Sequence, residues 1–397
     1  MSFEMIMLGI ASLVAISILL HHPSKTLGIP SLLVFMSVGL LFGNGEFNFV
    51  YDNIQFTSFI GGLALNIIVF VGGLNTSTTS IKLAWKEGGT LSSFGVLFTT
   101  LFFALILYYL LDYNFLTCLL FAAVVSSTDA AAVFTILKSK KLKLKENADR
   151  VLELESATND PVALLMVILL TDILVSSSGV APSILDIGIL LGQQILFGCM
   201  IGYLLGKLCV TALNLIKLEE YGLISVFILA CFVITVYGSE IVGGNVLVAV
   251  YIAGVIIGNQ LLRGAEVNKH FYNGFAWLAQ SLMFIIIGLQ IFPKNLMDVF
   301  WLSLLPALLL IFVARPLAVQ ICYLPFVKAS WRKRLFISAI GLKGATPIVL
   351  SLIPATVGIQ GSIEMIHMVF FVVLFSVLLQ GGAIEILARK LSLLKED

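Results

Sequence analysis

Charge is what this sequence has least of. Only 11% of its 397 residues are Asp, Glu, Lys or Arg, and 59% are hydrophobic, where a soluble domain carries about 25% charged residues. That shortfall excludes an ordinary soluble globular protein and points to an all-α polytopic membrane protein with membrane lipid as its surroundings. With a net charge of +1 there is no basic surface to suggest a nucleic-acid partner. Cysteine is sparse as well: Cys118, Cys199, Cys209, Cys231 and Cys322 all lie in or beside apolar runs, with no CxxC spacing, and read as small buried hydrophobes. The four histidines form no HExxH pattern. No TVGYG-like filter loop is present, which weighs against a passive cation channel. Neither a Tyr-Asp nor a Gly-x-Gly-Asp context marks an intramembrane aspartyl protease. No enzyme activity and no cofactor are therefore expected. The N-terminal stretch MSFEMIMLGIASLVAISILLHH lacks a basic leading region and is long for a signal core, so it reads as a retained helix.

What the chain has in abundance is long apolar runs. A membrane-spanning helix needs about 20 such residues, fewer where it is broken. Thirteen candidates lie near 4–20, 28–43, 57–75, 91–111, 114–137, 151–172, 187–210, 221–242, 245–259, 271–292, 299–325, 334–356 and 365–387. The basic residues sort with this numbering. Lys25, Lys82 and Lys86, the run from Lys138 to Arg150, Lys217, Arg263 and Lys269, Lys328 to Arg334, and Arg389, Lys390 and Lys395 all follow odd-numbered spans. Loops after even-numbered spans hold only Lys294. Because cytoplasmic loops collect Lys and Arg, the N-terminus is expected outside and the C-terminus inside an inner, cytoplasmic membrane.

Three short stretches recur at one offset of 215 residues. GLLFGN (39–44) matches GVIIGN (254–259), Gly73-Leu74-Asn75 matches Gly288-Leu289-Gln290, and SSTDAAAVFTIL (126–137) faces GLKGATPIVLSL (341–352), setting Thr128 against Lys343. Partners seven spans apart cross the membrane in opposite directions. The pattern predicts an inverted-topology repeat, with residues 1–180 as repeat one, 181–217 as a linking span and 218–390 as repeat two. That architecture is typical of secondary transporters with a midplane site.

Few ionisable residues remain at depth: Asp129, Glu155, Asp160, Arg315 and Lys343. A charge at the bilayer centre costs at least about 2.5–3.5 kcal/mol on insertion scales, so these five should pair, bind ions or line a cavity. In span 6, Glu155 and Asn159 share a helix face, and Asp160 is followed by Pro161, which should disturb the turn before it. Ser126-Ser127-Thr128-Asp129 in span 5 and Gly341-Leu342-Lys343-Gly344-Ala345-Thr346-Pro347 in span 12 are places where a helix would unwind. We expect two crossed, broken helices, with Asp129 offsetting the amide ends of the half-helices and Lys343 the carbonyl ends. Arg315 needs a buried acid; since a permanent guanidinium partner would block a titrating site, it is assigned to Glu155 as a structural ion pair.

Asp160 then reads as the candidate cation/proton carrier, while a role as dipole partner only stays open for Asp129, as a helix-face hydroxyl for Ser156 and as a group bonded back to its own helix for Thr128. A carboxylate among hydroxyls and carbonyls takes a hard monovalent cation or a proton. With an amide at Asn159 rather than a second acid, one carried charge predicts one-for-one, electroneutral exchange. The only metal expected is a monovalent cation at Asp160. Asn75 and Gln290 read as polar groups at helix ends.

SSTDAAAVF, ESATNDPVA, GGNVLVAVYIAGVIIGN, FVARPLAV and GLKGATPIVL, taken in this order, resemble the monovalent cation/proton antiporter superfamily, most closely its cell-volume-regulation or potassium/proton branch. The resemblance implies thirteen spans, an inverted repeat, crossed broken helices and a homodimer. It implies exchange of K⁺, with Na⁺ or Li⁺ as the alternative, for H⁺ at Asp160, with Asn159, Thr128, Asp129 and Ser156 around it and a Glu155–Arg315 pair. This sequence departs from its relatives in carrying Lys343 where they often have Arg, and Val71 where they often have an acid. Potassium-exchanging relatives often continue into a cytosolic regulatory domain, so this sequence is expected to be the transporter core of a longer native chain that carries one.

Overall fold

The fold is given by a computed structural model that describes residues 8–9, 11–12, 14–16, 18–19, 31–43, 51–111, 113–129, 133, 144–175, 184–216, 220–262 and 264–394. Among these residues the chain is helical throughout, and its one β-bridge joins Leu144 to Leu394. Eight helices are long and apolar enough to cross a membrane, and four shorter apolar helices accompany them. The protein is therefore a multi-pass membrane protein. Predicted span 1 lies largely outside the described residues, as does the second half of span 5 (130–137).

In chain order the helices are α1 Ser31–Phe42, α2 Ile54–Asn75, α3 Thr78–Thr90, α4 Val96–Leu111, α5 Phe115–Ser126, α6 Ala148–Val175, α7 Ile184–Ile216 and α8 Tyr221–Ile241. They continue as α9 Val246–Gln260, α10 Ala265–Gln290, α11 Pro293–Leu309, α12 Arg315–Cys322, α13 Trp331–Ala339, α14 Ala345–Thr356, α15 Ser362–Gly381 and α16 Ala383–Lys390. Their starts follow local chemistry: Asn53, Ser77, Asn114, Asn245 and Ser330 each accept a backbone N–H of the first turn through a side-chain oxygen.

Two sequence expectations change. The segment before span 4 is not a loop: α3 runs through a π-helical turn, Leu91–Gly95, into α4 as one helix from Thr78 to Leu111. The paired glycines Gly88 and Gly89 do not end it, because Gly88 lies flat against Leu154 of α6. Span 6 is also unbroken, α6 passing straight through Pro161. A single missing N–H is tolerated where packed neighbours hold the helix on every side. Span 12 carries its interruption at the stretch where the sequence predicts unwinding, dividing into α13 and α14 around the non-helical residues 340–344.

Apolar solvent gives helices no reason to associate through hydrophobic surface, so close backbone approach at small residues does the work. A methyl group on Gly39 of α1 would lie 3.0 Å from the α-carbon of Gly288 of α10. One on Gly73 of α2 would lie 3.2 Å from that of Gly254 of α9. Beside these crossings Gly43 meets Leu289 and Gly258 meets Leu74. Gly198, Gly202 and Gly206 of α7 press on Asn245, Ala249 and Ala253 of α9 in the same manner. The helix α6, which carries Glu155 and Asp160, packs on α5 and α14, the helices that border the two interruptions, and α14 packs in turn on α2 and α15.

Gly288→Val should therefore force α1 and α10 apart, destabilising the protein by about 1–3 kcal/mol or preventing folding. Gly62→Ala, where nothing lies within 4 Å, is the control. Melting of the purified variants in detergent checks this; equal midpoints would show that the crossing does not govern stability.

Candidate functional site

Two interruptions meet in the interior. The helix α5 ends at Ser126, and Ser127 is extended (φ −62°, ψ 154°). On the other side α13 ends at Ala339, and α14 restarts at Ala345 after Gly344 (φ −131°, ψ −130°). Between them the Asp129 N–H donates to the Leu342 carbonyl at 2.8 Å. The Lys343 ammonium, 1% exposed, donates to the carbonyls of Ser126 and Ser127, each at 2.9 Å. These are carbonyls that the ending helix leaves without a partner of its own. The Asp129 carboxylate lies directly against the α-carbon of Gly344, at the start of α14. Any side chain at 344 would collide with it.

The residues of α6 close the site from one side. Asp160 Oδ1 accepts a hydrogen bond from Ser127 Oγ, and the Thr346 side chain hydrogen-bonds the same carboxyl. Asn159 Nδ2 donates to Thr128 Oγ1 at 2.6 Å, and Thr128 Oγ1 shares a hydrogen with Ser156 Oγ at 2.9 Å. Ser127 Oγ also lies 3.4 Å from Asn159 Oδ1. All of these side chains are buried, Asp160 being 5% exposed and Asn159 fully enclosed. Thr128 does not bond back to its own helix, because the helix has ended before it.

Glu155 and Arg315 form a separate pair. Glu155 Oε1 and Arg315 Nη2 are 2.5 Å apart, at 0% and 2% side-chain exposure. A π-helical turn, Leu310–Ala314, delivers Arg315 to this place. Pro316 has no N–H to offer the carbonyl of Phe312, and the widened turn absorbs that missing bond. The guanidinium also touches the break, since a methyl on Gly341 would come within 3.0 Å of Arg315 Nε.

The structure thus brings together Asp160, Asn159, Ser156, Thr128, Asp129 and Lys343, and sets Glu155 with Arg315 apart from them. Gln290 is a cap, accepting from the Asn53 N–H and Thr57 Oγ1 and donating to Asp52. Asn75 bonds Val71 and Asn273. Sequence reasoning passed over Ser127 and Thr346 as groups that touch Asp160, although both stand in the quoted SSTD and GATP stretches.

Residues 10–390 match the sodium/hydrogen exchanger transmembrane family. The chain belongs to that family. Curated relatives include the K(+)/H(+) antiporter NhaP2 of Shewanella sp. (strain ANA-3), 37% identical over 383 residues, covering 96% of this chain and 66% of that protein. The K(+)/H(+) antiporter NhaP of Alkalimonas amylolytica is 34% identical over 397 residues, covering 99% of this chain and 68% of that protein. The chain thus spans about two thirds of the length of these relatives. The Na(+)/H(+) antiporter NhaH of Halobacillus aidingensis is 24% identical, covering 98% and 99%. The solved sodium proton antiporter MjNhaP1 of Methanocaldococcus jannaschii superposes with a TM-score of 0.83 at 23% identity, covering 98% of this chain and 99% of that one, and so shares the fold.

Removing one partner of a buried pair strands the other charge, at a cost of about 3–5 kcal/mol. Glu155→Gln should therefore lower the melting midpoint and the yield of folded protein sharply. The double variant Glu155→Gln/Arg315→Met should recover most of the loss. An unchanged midpoint in Glu155→Gln would remove the strut role.

Proposed function

We propose that this protein is a secondary active transporter that exchanges a monovalent cation, preferentially K⁺, for H⁺, with Asp160 carrying either ion in turn. The observation that carries this is the environment of Asp160. Among the described residues, its carboxyl is buried, is contacted by the neutral hydroxyls of Ser127 and Thr346, and belongs to no ion pair within 4.0 Å. Glu155 is committed to Arg315. Asp129 lies against the start of α14, where its charge suits the positive end of the helix, as Lys343 suits the negative end of α5. With both acids so placed and both helix ends balanced, Asp160 is left to gain and lose a charge.

Neutral oxygens around one carboxylate favour a dehydrated monovalent ion. The proton and the cation compete for the same oxygens, so only an occupied, neutral site crosses the membrane. Asn159 orients Thr128 and adds no charge, which keeps the exchange at one for one. The names of NhaP2 and NhaP favour K⁺, and that of NhaH keeps Na⁺ as the alternative.

The architecture we infer is thirteen spans with the N-terminus outside and the C-terminus inside, a repeat of residues 1–180 over 218–390 about the linking span 181–217, and a homodimer. The glycine crossings support the repeat. An offset of 215 residues exchanges Gly39 with Gly254 and Gly73 with Gly288. It therefore converts the Gly39–Gly288 crossing into the Gly254–Gly73 crossing, and the Gly43–Leu289 contact into the Gly258–Leu74 contact. A pseudo-two-fold axis predicts such interchange of contacts, whereas chance similarity of glycine-rich helices does not.

Proteoliposomes with a pH-sensitive dye inside test the reading. K⁺ or Na⁺ pulses should move protons against an imposed gradient, at the same rate with and without a clamped voltage. Asp160→Asn should abolish this in folded protein. Cation flux that ignores the pH gradient would indicate a channel, and strong voltage dependence would refute electroneutral exchange.

A further inference from the structure

The extended stretch 340–344 is tied not only to α5 but also to α15, and the tie is made by two side chains that touch neither ion-binding oxygen. Ser376 Oγ accepts from the Lys343 N–H at 2.8 Å. The same hydroxyl donates to Gln380 Oε1 at 2.7 Å. Gln380 Nε2 then donates to the Ala339 carbonyl at 2.9 Å. The chain of three bonds starts at one side of the interruption and ends at the other: Ala339 is the last residue of α13, and Lys343 nearly the last before α14. Ser376 and Gln380 are buried, at 0% and 3% exposure, within the apolar run FFVVLFSVLLQGG.

An open interruption of a helix in apolar surroundings exposes backbone groups that cost several kcal/mol each when unpaired. Two polar side chains one turn apart can pair two of them at once, because positions i and i+4 lie on the same helix face. Their geometry does more than pair them. Bonds from one rigid helix to both ends of the gap fix the path of the backbone between, and with it the root of the Lys343 side chain. The Lys343 ammonium holds the carbonyls of Ser126 and Ser127. The hydroxyl of that same Ser127 donates to Asp160. A continuous set of contacts therefore runs from Gln380 through Ser376, Lys343 and Ser127 to the Asp160 carboxyl.

We infer that Ser376 and Gln380 are positioning residues for the ion site: a splint carried by α15 that sets the height of the Lys343 ammonium and hence the orientation of Ser127 toward Asp160. The first interruption is held in the corresponding way. There the helix that follows it, α6, grips Thr128 through Asn159 and Ser156. In each half the next helix splints the gap. In the first half the splinting helix also carries the exchanging acid, and in the second it only positions.

This rests on the exchange reading above, so the test separates the two. Apparent KM for K⁺ and Na⁺, maximal rate and pH profile are measured in proteoliposomes for Ser376→Ala, Ser376→Thr, Gln380→Met and Asp160→Asn, with melting midpoints for each. One buried hydrogen bond lost to a neutral partner is worth about a tenfold change in an equilibrium constant. Ser376→Ala and Gln380→Met should each raise the apparent cation KM by about that factor and displace the pH profile. Ser376→Thr, which keeps the hydroxyl, should return both toward wild type. A lowered melting midpoint with KM and pH profile unmoved would make the pair merely structural and overturn the inference, as would wild-type behaviour throughout. Persistence of exchange in Asp160→Asn would instead overturn the exchange reading itself. If one variant fails to fold, the other single variant and the threonine rescue still decide.

Discussion

The Lys343 ammonium on the carbonyls of Ser126 and Ser127 is the contact on which the interior depends. Without it α5 would end in apolar surroundings with bare carbonyls, and the chain would gain by continuing as helix. The interruption is needed because it turns Ser127, Thr128 and Asp129 out of helical register. Only then can Ser127 Oγ reach Asp160 while the Asp129 N–H reaches Leu342. The single lysine nitrogen meets the two adjacent carbonyl oxygens at a point, supplying the charge without the planar fork that an arginine would bring.

The buried charges then sort by partner. Arg315 is permanently charged and has Glu155, so that pair fixes α12 to α6. Lys343 has backbone carbonyls, and Asp129 sits at the beginning of α14. These assignments place fixed charge on both sides of Asp160 without placing a cation on it. The glycine crossings of α1 with α10 and of α2 with α9 bring a second set of helices into direct backbone contact. None of Asp129, Glu155, Asp160, Arg315 and Lys343 lies on these four helices, so the deep charges stay with α6, α12 and the interruptions beside α5 and α14.

Most of this was legible because deep charge is rare in such a chain. The membrane class, the interruption near Lys343 and the choice of Glu155 for Arg315 all follow from asking where each buried charge finds its counterpart. What was not legible has a different origin. Pro161 suggested a disturbed turn, yet α6 runs through it, since helix continuity depends on neighbours that a sequence does not locate. The helical run from Thr78 into α4 was hidden by its charged residues, whose exposed side chains mark an amphipathic helix rather than a loop. Ser127 and Thr346 were seen as parts of motifs but not as contacts of Asp160, because which hydroxyl of a run turns inward depends on the local backbone path. Ser376 and Gln380 carried a weak signal, two polar residues four apart in an apolar span.

The two proposed repeats differ at the position proposed to set the exchange stoichiometry. Under the 215-residue offset Asp160 corresponds to Phe375, and Ser156 to Phe371. Those phenylalanines stack on each other with ring centroids 6.0 Å apart and close on Phe300, 5.8 Å from Phe375 and 5.3 Å from Phe371. The place that holds an acid and its hydroxyls in the first half is filled with aromatic side chains in the second. A two-fold architecture would otherwise offer two carboxylates related by symmetry, and two like charges at close range would push each other's protonation apart. On the proposed repeat, filling one place with rings would remove that coupling and leave Asp160 as the single group proposed to titrate. A single group can hold one cation or one proton at a time and no more, so the proposed one-for-one exchange would have its physical basis in this asymmetry as much as in Asp160 itself.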